Sequence, residues 1–385
     1  MQLQPAAGQK HSSIEAGSGR MQILALEPYC TGSHRDWLEG YARASRHQVV
    51  TLTMPGQFWK WRMYGGAVTL ARRLSELDTR PDLILATSML DVATFLALSR
   101  QRTWDIPVAL YMHENQLTYP MRPGEKRDLH FGLVNYTSML AADRVLFNSR
   151  FHLEAWFDEL PRLLKHHADF NELDTIPLLR GRSAVLPLGI DLASLDRARP
   201  SQPRSGPLLI LWNHRWEYDK DPASLVQALD RLMDWGGEFE VALLGERFVS
   251  EPPAFVEARE RLGSRLVHYG YVPSRQAYAR WLWEADVVVS TAIHDFFGAA
   301  TVEAMYCECW PLLPNRLAYP ELVPPEYHGR CLYASLDDLV ERLRQAAQDP
   351  IALRQGSTLR SAVAQYDWRR MAPQYDAILE EMVRH

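Results

Sequence analysis

The sequence predicts an α/β protein made of two doubly wound parallel sheets, two Rossmann-like lobes that face each other across a cleft. Three observations carry this. Short apolar runs alternate with helical segments, once in the first half of the chain and again in the second. A stretch rich in proline and arginine, from Asp196 to Pro207, separates the two series and has the composition of a linker. A chain of 385 residues is also too long for one ordinary core, so two domains are expected.

The elements follow in order. Residues 1–20 lack the apolar centre of a signal peptide and read as a flexible tail. A first lobe over 21–195 opens with the strand Met21-Gln22-Ile23-Leu24-Ala25-Leu26, ending at Glu27-Pro28. A helix follows the turn at Gly32-Ser33. Further strands are expected in "HQVVTLTMP", "PDLILATSM", "IPVALYMHE", "DRVLFNS" and "SAVLPLGID". After the linker, 196–207, a second lobe over 208–360 repeats the scheme. Its strands are "LLILWNH", "FEVALLG", "LVHYGYV" and "ADVVVSTA", with helices from Pro222 and Gly298, and "WPLLPN" and "GRCLYA" as further short strands. Closing helices break near Asp367-Trp368-Arg369, setting 361–385 apart.

Composition narrows the class. A hydrophobic share of 47% with 23% charged residues is ordinary for a globular protein. A net charge of −5 excludes a globally basic nucleic-acid coat but not a local patch. The first 200 residues are mildly basic and the remainder acidic, so the first half accommodates a negative ligand more easily. Cys30, Cys307, Cys309 and Cys331 form no zinc spacing and read as reduced, mostly buried thiols. No apolar run approaches the roughly 18 residues of a membrane span, so a soluble, cytoplasmic chain is expected.

In open parallel sheets, ligands bind beyond the carboxyl ends of the strands. Four loops of the second half are placed there. The first carries Arg215 and Lys220 ahead of Pro222, which suits two cations beside a helix N-terminus holding a diphosphate; surface charge around a helix cap is the alternative. Asp219-Lys220-Asp221 has the form of a divalent-metal pair, but the central cation and Pro222 favour helix capping, so no required metal is expected. The second and third loops supply Gly245 and Gly270, where backbone must approach a base or ribose. The fourth, "HDFFGAATVEA", places Asp295, Phe296, Phe297 and Gly298 before a helix whose first residues are Ala299, Ala300 and Thr301, with Glu303 beyond. Asp295 and Glu303 cannot share a simple helix face. They suit the two ends of one ligand, Asp295 on a sugar and Glu303 on a ribose, with the diphosphate between them on the helix N-terminus.

These residues resemble a known family. "STAIHDFFGAATVEAMYCECWPLL" is similar to the acid-x7-acid motif of family 4 retaining glycosyltransferases with the GT-B fold, "RWEYDK" to their Arg/Lys diphosphate clamp, and "AVLPLGID" to the segment closing their first lobe. The first acid is usually Glu and here is Asp295, a shorter arm to the sugar's hydroxyls. The likeness implies that the segment from Trp368 crosses back onto the first lobe. Within that family, "MPGQFWKWRMYGGA", "YMHENQLTYP", "HFGLVNYTSMLAADRVLFNSRFH" and "NHRWEYDKDP" most resemble the tRNA-queuosine mannosyltransferases. This implies transfer of mannose from GDP-mannose to the cyclopentenediol of queuosine at the tRNA wobble position, with tRNA-Asp the expected species. Attack would come on the sugar's front face, and no cofactor, membrane or obligate protein partner is implied. It also implies that His113, which is not part of an HExxH zinc motif, contacts the transferred sugar, that Glu114 and Asn115 orient the acceptor diol, and that Gly32-Ser33-His34 lies under the donor phosphate, with Ser149 at the cleft.

The residues themselves leave room for other readings. Trp59-Lys60-Trp61-Arg62 suits stacking on unpaired bases and contact with phosphates, or a loop whose tryptophans pack on the core. Arg122, Lys126 and Arg127 form a second basic loop that Lys165-His166-His167 extends. A lone histidine after a strand is often structural. The same chemistry on a glycan, lipid or metabolite, or a non-catalytic nucleotide-sugar or RNA-binding module, stays open on the residues alone.

Overall fold

Strands buried on both faces build the two sheets. In the computed structural model, which describes residues 19–384 apart from 79, 122–123, 167, 203, 246–250, 351–352 and 354–356, the strands "LILAT", "VALYM", "LLILW" and "WPLLP" have no residue facing solvent. Such runs suit parallel sheets covered by helices on each side. The first sheet contains β1 (Gln22–Cys30), β2 (Gln48–Pro55), β3 (Leu83–Thr87), β4 (Val108–Met112), β5 (Arg144–Phe147) and β6 (Ser183–Val185), in the order β2-β1-β3-β4-β5-β6. The second contains β7 (Leu208–Trp212), β8 (Phe239–Leu244), β9 (Leu266–Gly270), β10 (Val287–Val289), β11 (Trp310–Pro314) and β12 (Leu332–Tyr333), in the order β12-β11-β10-β7-β8-β9. All strand pairs are parallel. This is the GT-B arrangement. The order reverses between β1 and β3 in one lobe and between β7 and β10 in the other, which is where a crevice opens at the carboxyl ends of the strands.

The chain passes between the lobes at two places that lie side by side. Ile190 N–H donates to the Tyr366 carbonyl at 2.8 Å, and Trp368 N–H donates to the Ile190 carbonyl at 3.1 Å. Asp367 accepts from Ala193 N–H at 2.8 Å, which ties the crossings together. The last helix, Trp368–Arg384, returns to the first lobe and packs on the helix Gly32–Ala44. Trp37 Nε1 donates to the Tyr375 hydroxyl (3.0 Å), and the Tyr41 hydroxyl donates to Asp376 (2.8 Å).

Three local expectations are corrected. β1 does not end at Glu27-Pro28 but runs on to Cys30, with a register irregularity between Glu27 and Cys30 that absorbs the proline. Glu27 is therefore fully buried within the sheet. The segment around Trp59–Arg62 is not a loop: it is the first turn of a helix, Trp59–Ser75. A helix the sequence did not announce, Thr175–Arg182, precedes β6. The expected tail lies outside the described residues up to position 18.

Candidate functional site

The second lobe builds half of a site at its switch point. Lys220, in the loop after β7, is buried, and its Nζ donates to the His294 carbonyl at 2.6 Å. Asp219 Oδ2 lies 3.2 Å and Asp295 Oδ2 3.6 Å from the same ammonium. The Asp219 carbonyl in turn accepts from the N–H groups of Ile293 and His294, which locks the two loops in register. Asp221 caps the helix Pro222–Asp234 by accepting from Ser224 N–H, as the proline at the helix start foretold. Arg215 is half exposed at the cleft, 3.4 Å from Glu217.

Asp295 sits among these groups. It accepts from Phe297 N–H at 3.3 Å, and the Tyr319 hydroxyl lies 3.3 Å from its other oxygen. Burial pushes its pKa up, but the Lys220 ammonium, His214 and the Phe297 N–H outweigh that and hold it below the usual carboxylate range. Burial, and then the charge of Lys220, pull His214 and His294 down to about 4, so both rings are neutral.

Gly298 is the N-cap of the helix Ala299–Tyr306, at φ +93, and no side chain caps that helix. A Cβ on Gly298 would stand 3.1 Å from Tyr319 Cε1. The first-turn N–H groups of Ala299, Ala300 and Thr301 are thus left to an outside acceptor. Glu303 lies at the far side: Arg275 Nη1 approaches to 2.6 Å and the Tyr278 hydroxyl to 2.9 Å. Asn213 joins this group through Tyr278 and the Ala300 carbonyl, each at 3.0 Å. The buried polar atoms here without a protein partner include Asn213 Oδ1, His214 Nε2, His294 Nε2 and Thr301 Oγ1. Gly245 closes the floor, its ideal Cβ position only 2.1 Å from the His214 carbonyl. Gly270 ends β9 beside it, its carbonyl accepting from Gly245 N–H at 3.2 Å.

The first lobe supplies the opposite wall. Gly32 and Ser33 are exposed at the start of the helix Gly32–Ala44, and His34 is buried just behind them. His113 ends the β4 run, packed by His34 at 4.3 Å, Trp37 at 4.6 Å and Tyr111 at 4.8 Å between ring centres. Its Nε2 has no partner, and burial together with neighbouring His34 holds the ring neutral. Asn148 fixes the His113 backbone through its carbonyl at 2.8 Å.

The lobes touch across the cleft. Ser149 caps the helix Arg150–Leu164 and donates across to the Phe296 carbonyl at 2.6 Å. Phe296 stacks on His152 at 3.9 Å, and Glu321 of the second lobe accepts from the N–H groups of Arg150 and Phe151. A pocket of about 390 Å³ lies between the lobes, with Trp59, Lys60, Glu114 and Tyr119 on one side and Arg215 and Asp219 on the other.

This brings together most of the predicted residues and separates a few. Trp59, Lys60, Glu114, Lys126 and Arg127 line the interlobe pocket. Arg127, however, spends its guanidinium on the carbonyls of Gln116 and Tyr119, both at 2.7 Å, and so shapes the loop. Asn115 is fully buried, its Oδ1 accepting from the N–H groups of Leu117 and Thr118 (3.0 and 2.9 Å), which leaves that oxygen to the turn and not to a diol. Trp61 is 62% exposed, and Arg62 donates to the Pro55 carbonyl at 3.0 Å, both outside the pocket. Phe297 is buried in the core of the second lobe. Arg122 and His167 lie outside the described residues. Sequence reasoning missed Glu27, Tyr119, Asn213, Arg275, Tyr278 and Glu321. Glu27 meets His34 only through the bend of the chain after β1, and the others act through partners distant in the chain, so no local pattern announces them.

Two facing α/β lobes, with an acid at either end of an uncapped helix N-terminus and two cations beside it, define a GT-B glycosyltransferase. Residues 22–190 match the family described as tRNA-queuosine alpha-mannosyltransferase N-terminal, and residues 196–361 match glycosyl transferases group 1. A tRNA-queuosine alpha-mannosyltransferase of Drosophila melanogaster is 32% identical over 86% of this chain and 88% of its own. A GDP-mannose-dependent alpha-(1-6)-phosphatidylinositol dimannoside mannosyltransferase of Mycobacterium tuberculosis is 24% identical over 92% of this chain and 90% of its own. The solved sucrose-phosphate synthase of Thermosynechococcus elongatus superposes with a TM-score of 0.70 at 16% identity, over 95% of this chain and all of that one, a likeness of fold. The chain belongs to the tRNA-queuosine alpha-mannosyltransferase family. Among the described residues, no helix is long and apolar enough to cross a membrane.

Proposed function

We propose that the protein transfers mannose, with retention, from GDP-mannose to the cyclopentenediol of queuosine at the wobble position of a tRNA, in the cytoplasm. The observation that carries this is the pairing of two sites. An uncapped helix N-terminus flanked by Asp295 and Glu303 is joined, through Lys220 between Asp295 and Asp219, to an aromatic interlobe pocket that Asp219 and Arg215 line and that is large enough for a nucleobase. The names of the two mannosyltransferase relatives support the donor and the acceptor.

In this reading the diphosphate lies between Arg215, Lys220 and the N–H groups of Ala299–Thr301, which stabilise the charge that grows on it as the glycosidic bond breaks. Asp295, kept ionised by Lys220, accepts from the sugar's hydroxyls, and neutral His113 bonds the same sugar from the other lobe. Glu303, presented by Arg275 and Tyr278, accepts from the ribose, while Gly245 and Gly270 let backbone meet the base. Trp59 and Tyr119 wall the acceptor base, Glu114 orients its diol, and Lys60 and Lys126 meet the tRNA backbone. Attack occurs on the face the diphosphate leaves, and the acceptor's proton passes to the leaving phosphate. Lobe closure through Ser149, Phe296 and Glu321 excludes water.

We propose no required metal. Glu27, His34 and His113 offer donor atoms within 4.8 Å of one another, but both Glu27 oxygens already accept, from Tyr29 N–H (2.7 Å) and from His34 (2.9 Å). Turnover is expected to survive dialysis against a chelator.

The test is a transfer assay with GDP-mannose or UDP-glucose and tRNA with or without queuosine, read by nucleoside mass spectrometry. A hexose added only with GDP-mannose and queuosine-tRNA is expected. GDP release with no mass on tRNA would keep the glycosyltransferase and discard the acceptor.

A further inference from the structure

Two imidazoles lie against each other on the first-lobe wall, and they are wired in opposite ways. His113 has a free Nε2 and aromatic rings around it. His34 is tied at Nδ1 to Glu27 Oε2 at 2.9 Å, and Glu27 is sealed in the sheet with its other oxygen on Tyr29 N–H. A buried carboxylate with both oxygens engaged is a rigid anchor. With Nδ1 held this way, Nε2 is the nitrogen left to the cleft, where 10% of the His34 side chain remains exposed. His34 is the third residue of the helix Gly32–Ala44, whose N-cap Thr31 offers no side-chain bond, which leaves the Gly32 and Ser33 N–H groups beside it uncapped.

We propose that His34 is a further catalytic residue, a cation that donates from Nε2–H to the departing diphosphate, and that Glu27 is the positioning residue that fixes its ring and its charge. The proposal rests on the glycosyl-transfer reading of the cleft, and not on which acceptor is used.

The groups facing His34 come from three elements. Glu27 acts from β1, Glu114 and His113 from the end of β4, and Arg215 from the loop after β7 in the other lobe. His34 is therefore within electrostatic reach of Arg215, one of the cations assigned to the diphosphate. Burial opposes a charge on His34, and Arg215 adds to that, but the charge and hydrogen bond of Glu27 prevail, with Glu114 in support, so its pKa is raised. Burial and the neighbouring charge both work against a proton on His113. The pair is therefore pushed apart, His34 towards the charged form by its bond to Glu27 and His113 towards the neutral form that suits a sugar hydroxyl. In the step itself, the bond between the anomeric carbon and the diphosphate oxygen breaks and its electron pair stays on that oxygen, which accepts from His34 Nε2–H. The acceptor hydroxyl forms the new bond to the anomeric carbon, and its proton goes to the diphosphate. His34 keeps its own proton, so the site returns unchanged.

The experiment pairs pH profiles with a direct look at the ring. The turnover number for GDP-mannose and queuosine-tRNA would be measured from pH 6 to 9 for wild type, Glu27→Gln and His34→Gln. Histidine-labelled wild type bound to GDP would be followed by long-range nitrogen–proton NMR. A group with a raised pKa is active below it and lost as pH rises through it. Wild type should therefore fall on the alkaline side. Glu27→Gln should fall at a pH lower by one unit or more, with the KM for tRNA unchanged. His34→Gln should lose roughly 100-fold in turnover and show no such limb. The NMR should report an imidazolium at His34 at pH 7. A Glu27→Gln profile that overlays wild type, or a neutral His34 in the GDP complex, overturns the proposal. If wild type modifies no tRNA, the acceptor reading fails by itself, and the ring's protonation in the GDP complex still decides His34. The NMR uses wild type alone, so it decides the matter even where a variant fails to fold.

Discussion

Asp295 and Glu303 belong to one motif, eight residues apart, yet the structure treats them differently. Asp295 is built in: Lys220, Tyr319 and the Phe297 N–H surround it, and its carboxyl is held below the ordinary range. Glu303 is presented: Arg275 and Tyr278 hold it from outside the helix that carries it, with Arg275 also donating to the Asp191 carbonyl at the lobe crossing (3.1 Å). The same carboxylate chemistry is thus pre-organised by a buried ammonium at one end of the turn and by a half-exposed guanidinium at the other. The end held by the buried ammonium belongs next to the reacting bond, where reorganisation is most costly, and the end held by the half-exposed guanidinium suits a binding contact made before chemistry.

Breaking the end held by the buried ammonium should have the largest effect. Lys220→Ala removes the ammonium shared by Asp219 and Asp295 and leaves buried Asp219 and half-buried Asp295 uncompensated. Turnover should fall by roughly 10³-fold or more, with a stability loss of about 3 kcal/mol, measured by steady-state kinetics and denaturant unfolding. Asp295→Asn keeps the shape and loses the charge. A fall of roughly 10²-fold in turnover is expected, with GDP binding by calorimetry little changed. It also sharpens the pH argument. A carboxyl whose pKa is depressed below 3.8 stabilises the fold above that value and loses its contribution as pH falls through the folded pKa. The acid limb of the stability curve should therefore be shallower in Asp295→Asn than in wild type.

At the clamped end the expected changes are smaller and of another kind. Glu303→Gln should raise the KM for GDP-mannose about 10-fold with a lesser change in turnover, because the amide accepts more weakly from the ribose. Equal losses in turnover at both ends would erase the distinction. Tyr278→Phe removes one support of Glu303 and one partner of Asn213, and a rise in the same KM of roughly 3-fold is expected. On the acceptor side, Lys60→Ala should leave the KM for GDP-mannose alone, weaken tRNA binding and reduce the salt slope of the tRNA KM by about one phosphate.

Much of this was legible in the chain. Uninterrupted apolar runs such as "LILAT" and "LLILW" announce buried parallel strands, because a strand covered on both faces has no polar side to show. Arg215, Lys220, Asp295, Gly298 and Glu303 were legible for a related reason: loops at strand ends carry the chemistry, and the glycine and proline that shape them are local signals. Asn115 and Arg127 show the limit. Their residue types fit an acceptor site, but hydrogen bonds to nearby backbone use up the Asn115 oxygen and the Arg127 guanidinium, and only coordinates reveal that accounting. Trp59 and Trp61 differ for the same kind of reason. One turn of helix points Trp59 at Phe131 (5.0 Å) and leaves Trp61 in solvent.

Chain order was enough to set the two sheets and to single out the acids and cations around the turn at Gly298, since each rests on periodicity or on a motif a few residues long. Tertiary contacts alone settle which groups are charged, which are spent on their own backbone, and which meet across the cleft. Glu27 with His34, Arg275 with Glu303 and Glu321 with the helix at Arg150 join different elements. Their energies depend on burial and on distances of a few ångströms, quantities that chain order does not carry.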